Sequence, residues 1–348
     1  MKSKKRTIIG NICKVVGFLL IFVLLFSLFV KIFSFKYTKT VATFYKLPED
    51  SVDVLFVGSS HAYHNVDPNV LYEESGTTAY IMGSASQMVW SSYYLMKEAC
   101  KTQHPKVVFL ECYKTYFTDE YSDEPTALKA FCNMKFSRNY LDNVFANFGD
   151  KEKRIDSALL FPWYHSRYTD LKGEDFKPNY GNEYYANYLG YSPMKKSVKS
   201  EIPEGIGEIT ERAPLSDKVV TYLDKCVELS KEEGFELVFL LTPYCEEAVP
   251  RQAYYNTLAD YADEKGITLI NGNLLYDELG LIGDKDFGNG NHLCHKGARK
   301  MTLYLNDFLN QNFDLQDHRG DAYYQRWENN RLYMQEHYPI KTKTTGGK

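Results

Sequence analysis

A serine with a histidine to activate it is the chemistry this chain offers. Residues 53 to 68 read Asp-Val-Leu-Phe-Val-Gly-Ser-Ser-His-Ala-Tyr-His-Asn-Val-Asp-Pro. Val54 to Val57 is a short apolar run of the kind that forms a buried strand, and it breaks at Gly58-Ser59-Ser60-His61. A strand that ends in glycine and small hydroxyl residues delivers a side chain to the carboxyl edge of a sheet, where open α/β folds bind ligands. Ser60 is therefore the candidate nucleophile. The same residues also read, more plainly, as a polar turn after a strand. The second stretch, residues 284 to 299, reads Asp-Lys-Asp-Phe-Gly-Asn-Gly-Asn-His-Leu-Cys-His-Lys-Gly-Ala-Arg. It follows the last strand expected below and precedes a helix, so topology sets His292 at the same sheet edge as Ser60. A serine needs a nearby base to become nucleophilic, and that base needs an acceptor on its other ring nitrogen.

The elements that must position these residues alternate. Short apolar strands are expected at Val52–Val57, Thr78–Met82, Lys106–Glu111, Glu236–Leu241 and Ile267–Ile270, with helices at Met88–Cys100, Leu215–Glu233, Gln252–Lys265 and Lys296–Asn310. Such alternation predicts an α/β domain, a five-stranded parallel sheet covered on both faces. The run from about 117 to 214 breaks the alternation. It is rich in Tyr, Asn, Asp and Gly and reads as an insertion with helices near Glu124–Ala130 and Asp150–Leu160. Within it, Phe161-Pro-Trp-Tyr-His-Ser-Arg-Tyr168 gathers His165 and Arg167 among aromatics, which suits a glycan or acyl-carrier groove or, equally, an aromatic plug onto the core. The tail, 316–348, carries no strong fold signal.

The N-terminus predicts a membrane. Lys2, Lys4, Lys5 and Arg6 precede an apolar segment from Ile8 to about Phe33, and Val15 to Val30 contains no charge. That length spans a bilayer as a signal anchor. The basic cluster places the N-terminus in the cytoplasm and the domain at 51–315 outside it, with residues 1–36 as tail and anchor and 37–50 as a juxtamembrane connector. The net charge of −4 argues against nucleic acid, whose binding needs a basic surface. Aromatic content of 15%, with 29 Tyr and 21 Phe, suits sugar contact or ordinary core and rim. Seven widely spaced cysteines show no CxxC and predict no required disulfide framework. His61 and His64, like His292 and His295, are three apart, but no carboxylate or thiolate cluster adjoins them, so no metal and no cofactor is expected; His61 reads instead as a wall of the substrate pocket.

Gly58-Ser59-Ser60, then Gly83, then a late His292 followed by Leu-x-x-x-Gly-Ala resemble the SGNH/GDSL hydrolase superfamily. The resemblance makes Ser60 the nucleophile, His292 the base and Gly83 the oxyanion glycine, with Ser59 and His61 beside the substrate. It implies a flavodoxin-like three-layer α/β/α fold. The Gly-Ser-Ser-His form looks like the membrane-anchored branch, which includes the D-alanyl-lipoteichoic acid biosynthesis protein D and the alginate and cell-wall O-acetylation proteins. That branch implies a cell-envelope polymer as substrate and a membrane-bound O-acyltransferase as partner. Two positions depart from the pattern. The family acid, three residues before the histidine, is Asn289 here; an amide can orient the ring but brings no charge. Asp286 could replace it if the loop folds back, or Ser60 and His292 could act as a dyad. The family's third block calls for an Asn after the third strand, where this chain has Glu111-Cys-Tyr-Lys-Thr115; Tyr113 or Lys114 is then the side-chain oxyanion donor on offer.

Overall fold

The computed structural model describes residues 2–34, 40–122, 125–177 and 188–339. In chain order the elements are α1 (Lys2–Phe33), α2 (Thr40–Phe44), β1 (Val54–Gly58), α3 (Ser60–Asn65), α4 (Pro68–Ser75), β2 (Ala79–Gly83), α5 (Val89–Ala99) and β3 (Val107–Glu111). The insertion follows as α6 (Leu128–Phe131), α7 (Arg138–Asn147), α8 (Lys151–Leu159) and α9 (Phe161–His165). The domain resumes with α10 (Asp217–Glu233), β4 (Glu236–Leu241), α11 (Ala248–Lys265), β5 (Thr268–Asn271), β6 (Phe287–Asn289), β7 (His292–Leu293), α12 (His295–Asn312) and α13 (Gln325–His337).

Five strands pair in the order β2-β1-β3-β4-β5, all parallel. Every residue of β1, β2 and β3 is buried, which is why they read as unbroken apolar runs. The strand order turns around between β1 and β3, so the crevice for a ligand opens at their carboxyl ends. Ser60 follows β1 there, and Glu111 closes β3. The expected strands and the four domain helices are present, most with ends shifted by a residue or two and α11 starting four residues early.

The differences have physical causes. Helices α3 and α4 are short and announce themselves only by caps: the Ser59 side chain accepts from the His61 N–H, and Asp67 caps α4 ahead of Pro68. Helix α7, which the sequence pattern does not separate from the rest of the insertion, buries Tyr140 and Val144 in the core beside a row of asparagines. Asn139, Asn143 and Asn147 recur every four residues and face α5: Trp90 Nε1 donates to Asn147 at 2.9 Å, Ser91 Oγ to Asn143 at 3.0 Å, and Asn139 donates to the Tyr94 carbonyl at 2.9 Å. The residues expected to be a juxtamembrane connector instead build core from Thr40 onward: Phe44 is 1% exposed, Thr43 shares a 2.6 Å hydrogen bond with Tyr80, and Thr40 Oγ1 donates to the Gly83 carbonyl. The tail holds α13, whose buried residues are Trp327, Asn330 and Met334. Trp327 Nε1 donates to the carbonyl of Ala79 at 3.0 Å, seating the helix against the edge strand β2. Two buried apolar residues seven apart are too sparse a stripe to read as periodicity.

Residues Ile8–Phe33 of α1 are 26 residues, long and apolar enough to cross a membrane; the apolar side chains from Ile8 to Phe29 are exposed, while Phe33 at the carboxyl end is buried.

Candidate active site

The structure brings the two sequence-distant stretches into contact. Ser60 is the first residue of α3. His292 opens β7, which pairs antiparallel with β6 in a two-stranded ribbon that the sequence did not announce, Asn289 standing opposite His292 in register. His292 Nε2 lies 2.8 Å from Ser60 Oγ. His292 Nδ1 lies 3.0 Å from Asn289 Oδ1. The backbone N–H of Asn291 donates to the same Asn289 atom at 2.9 Å, which identifies that atom as the amide oxygen. An amide oxygen only accepts, so Nδ1 carries the ring proton and Nε2 presents its lone pair to the Ser60 hydroxyl. Burial, then the neighbouring His64, pulls His292 down to about 3. The imidazole is neutral, and among the described residues no charged side chain hydrogen-bonds to it.

Asp286 does not fold back onto His292. It is 2% exposed, accepts from the Ile282 N–H at 2.8 Å and binds Lys300 Nζ at 2.6 Å. Its charge closes the turn before β6, so the acceptor for His292 is Asn289. Tyr113 follows β3 as expected, but its hydroxyl accepts from Arg251 Nη1 at 2.5 Å and its ring stacks on His61 at 3.7 Å between centroids. Lys114 Nζ donates to the Tyr116 hydroxyl at 3.2 Å. Gly83 pairs with Gly58 across β1 and β2, and a Cβ there would stand 3.2 Å from the Tyr63 ring. Arg167 is engaged away from Ser60. Its Nη1 donates to the carbonyls of Phe33 at 2.8 Å and Ser34 at 2.5 Å, at the carboxyl end of α1, and Nη2 pairs with Asp175 at 3.0 Å. The His165 side chain lies outside the described residues.

Three residues that sequence reasoning passed over hold the site together. Glu111, 4% exposed, accepts from the Ser59 N–H at 2.8 Å, the Ser59 hydroxyl at 2.6 Å and the Tyr113 N–H at 2.5 Å. One carboxylate thereby fastens the loops after β1 and β3 to each other on either side of Ser60. Burial raises its pKa, opposed by those hydrogen bonds. Gly58 is glycine because of it: a Cβ would stand 2.4 Å from the Glu111 Cβ. Asn65, fully buried at the end of α3, accepts from the Leu293 N–H at 2.8 Å and donates to Thr242 Oγ1 at 2.7 Å. It ties the helix bearing Ser60 to the strand bearing His292. Arg251 lies among the rings of Tyr113, Tyr116 and Tyr244, 4.2 Å from the Tyr116 centroid.

His61 is 1% exposed, its pKa held well below the ordinary histidine range by burial and then by His292. His64 Nδ1 lies 2.6 Å from the Ser192 carbonyl, and its ring is 4.8 Å from that of His292. These imidazoles crowd His292; among the described residues no group of three His, Cys, Asp or Glu side chains is placed to hold a metal ion. His295 lies 3.1 Å from the Tyr191 hydroxyl and 3.2 Å from the Tyr338 carbonyl. A cavity of about 720 Å³ walled by Tyr94, Tyr121, Asp142, Phe145, Lys218 and Tyr222 is separate from the Ser60 cluster.

Fold and site together define an α/β protein that presents a serine, a histidine and an amide in hydrogen-bond sequence at the carboxyl edge of a parallel sheet. Compared with protein-family models and with curated proteins, the chain matches none.

Proposed function

We propose that this chain is a serine-dependent acyl transfer or deacylation enzyme of the SGNH type, with a flavodoxin-like three-layer domain held outside the cytoplasm by α1. The observation that carries the reading is the continuous run from Ser60 Oγ to His292 Nε2 at 2.8 Å and from His292 Nδ1 to Asn289 at 3.0 Å. Nucleophile, base and orienting acceptor are the three parts such chemistry needs.

In this reading Ser60 Oγ attacks an ester carbonyl as its proton passes to His292 Nε2. The tetrahedral adduct expels the alcohol, which takes that proton, and leaves an acyl–Ser60 ester. An incoming hydroxyl, from polymer or water, gives its proton to His292 as it attacks the acyl carbonyl; the adduct then breaks its bond to Ser60 Oγ, which takes the proton back from His292, and the acyl group leaves on the incoming oxygen. The backbone N–H groups of Ser60 and Gly83 are the proposed oxyanion donors. The membrane anchor and the SGNH resemblance support a cell-envelope polysaccharide or teichoic acid as acceptor, O-acetyl or D-alanyl as the group moved, and a membrane-bound O-acyltransferase as partner. A second reading, a non-catalytic accessory subunit of such an acyltransferase, draws on Asn289, which leaves the imidazolium without a charged partner, and on Tyr113 in place of a second oxyanion amide.

The test is covalent labelling by a serine-directed fluorophosphonate, followed by mass spectrometry of the labelled peptide. Modification at Ser60 that is lost in His292→Ala supports the enzyme. No labelling at Ser60, together with unchanged polymer modification in a Ser60→Ala strain, leaves the accessory reading.

A further inference from the structure

The insertion carries a feature unrelated to Ser60. Leu159, Tyr168 and Phe176 are 59%, 69% and 61% exposed, high for side chains of this size gathered in one short region. Each is the chain neighbour of a residue committed to the carboxyl end of α1. Leu159 precedes Leu160, which packs with Leu171 against the small core formed by Phe33, Cys132 and Tyr164. Tyr168 follows Arg167, whose guanidinium caps the last carbonyls of α1 at Phe33 and Ser34. Phe176 follows Asp175, which is 4% exposed and holds the other side of that guanidinium at 3.0 Å.

The helix end fixes where water begins. If Ile8–Phe33 spans the hydrocarbon, Phe33 and Ser34 lie at the boundary between acyl chains and headgroups. Arg167 suits that level: a cation on carbonyls at a helix carboxyl end answers the helix dipole. Leu159, Tyr168 and Phe176, each one chain position from a residue at that helix end, are thereby carried toward the same level, where aromatic residues are favoured.

We infer that the insertion is an interfacial foot, in which Leu159, Tyr168 and Phe176 enter the headgroup–acyl boundary of the bilayer around the end of α1 and seat the domain on the membrane instead of leaving it on a stalk. The occupant of this apolar surface is lipid, because the surface adjoins the covered end of a helix whose apolar side chains from Ile8 to Phe29 are exposed. The inference rests on the spanning reading of α1 and is independent of any chemistry at Ser60.

The test uses the full-length chain in bilayer discs made with lipids brominated along the acyl chains, which quench nearby tryptophan. Tyr168→Trp and Phe176→Trp report on the foot. Leu24→Trp reports on the middle of α1, and Glu236→Trp, an exposed site on the amino edge of the sheet, is the reference. Wild-type emission from Trp90, Trp163 and Trp327 is subtracted. The expected result is strong quenching at 24, at least twofold loss of emission at 168 and 176, and little at 236. Quenching at 24 with none above the reference at 168 and 176 overturns the foot alone. No quenching at 24 overturns the spanning reading and the foot with it.

Discussion

Replacing Asn289 with Asp adds one charge to the site and leaves its shape. The new carboxylate accepts the same two hydrogens that the amide oxygen now takes, from His292 Nδ1 at 3.0 Å and the Asn291 N–H at 2.9 Å. An opposite charge this close favours a protonated imidazole by roughly 1–3 pKa units, each worth about 1.4 kcal/mol. If the imidazolium is fully formed in the transition state, the gain is about 10- to 1,000-fold. Asn289 is exposed, so water and salt screen the added charge and the low end, about tenfold, is expected. The pH dependence must move too. His292 is a base only above its own pKa, so wild-type reactivity is kept down to about pH 3 and lost as pH falls through that value. In Asn289→Asp the loss begins about one unit higher. The assay is the second-order rate of fluorophosphonate labelling at Ser60 across that range, at low and high salt, with Asn289→Ala as the control that removes the acceptor and slows labelling. Unchanged rate and unchanged acid limb in Asn289→Asp, or wild-type reactivity in Asn289→Ala, refutes the role given to Asn289.

Ser60→Ala and His292→Ala each abolish labelling, and because the two act as a unit the double variant loses no more than either single one, read as turnover of a small acetyl ester. Glu111→Gln places an NH₂ group where only acceptors fit, facing Ser59 or the Tyr113 N–H; about 1–3 kcal/mol of stability is lost by urea unfolding, and Ser60 labelling slows in the protein that remains folded. Gly58→Ala drives a methyl onto the Cβ of Glu111 and costs about 1–3 kcal/mol; the same cost measured undiminished in a Glu111→Gly background, which removes that Cβ, would place the conflict elsewhere. His292 also makes stability pH-dependent in a definite direction. Its folded pKa lies below the ordinary 6.5, so the unfolded chain binds the extra proton first, and stability falls as pH drops from about 6.5 toward about 3. His292→Gln makes the urea midpoint fall less over that range.

What the sequence made legible was what local chemistry writes locally. Strands β1 to β4 are apolar runs because both faces of the sheet are covered, and Gly58-Ser59-Ser60 follows one of them, so the candidate serine and its edge could be named without coordinates. The partner of His292 could not be settled, because the choice between Asp286 and Asn289 depends on how residues 282 to 293 turn. Lys300, fourteen residues beyond Asp286 on α12, takes that carboxylate, and the β6–β7 register brings Asn289 to the ring. Glu111 and Asn65 were invisible for a related reason. Each is one polar residue at the end of an ordinary element, and its partners, Ser59 for one and Leu293 for the other, lie 52 and 228 residues away. Helix α13 shows the same limit, since periodicity registers apolar faces and its buried apolar residues are only Trp327 and Met334. A site at the edge of a parallel sheet is assembled from the ends of several strands. Reactive atoms sit in short motifs at those ends, whereas the residues that hold the ends in register answer to neighbours across the fold, and it is these, Glu111 and Asn65 above all, that decide whether Ser60 meets His292.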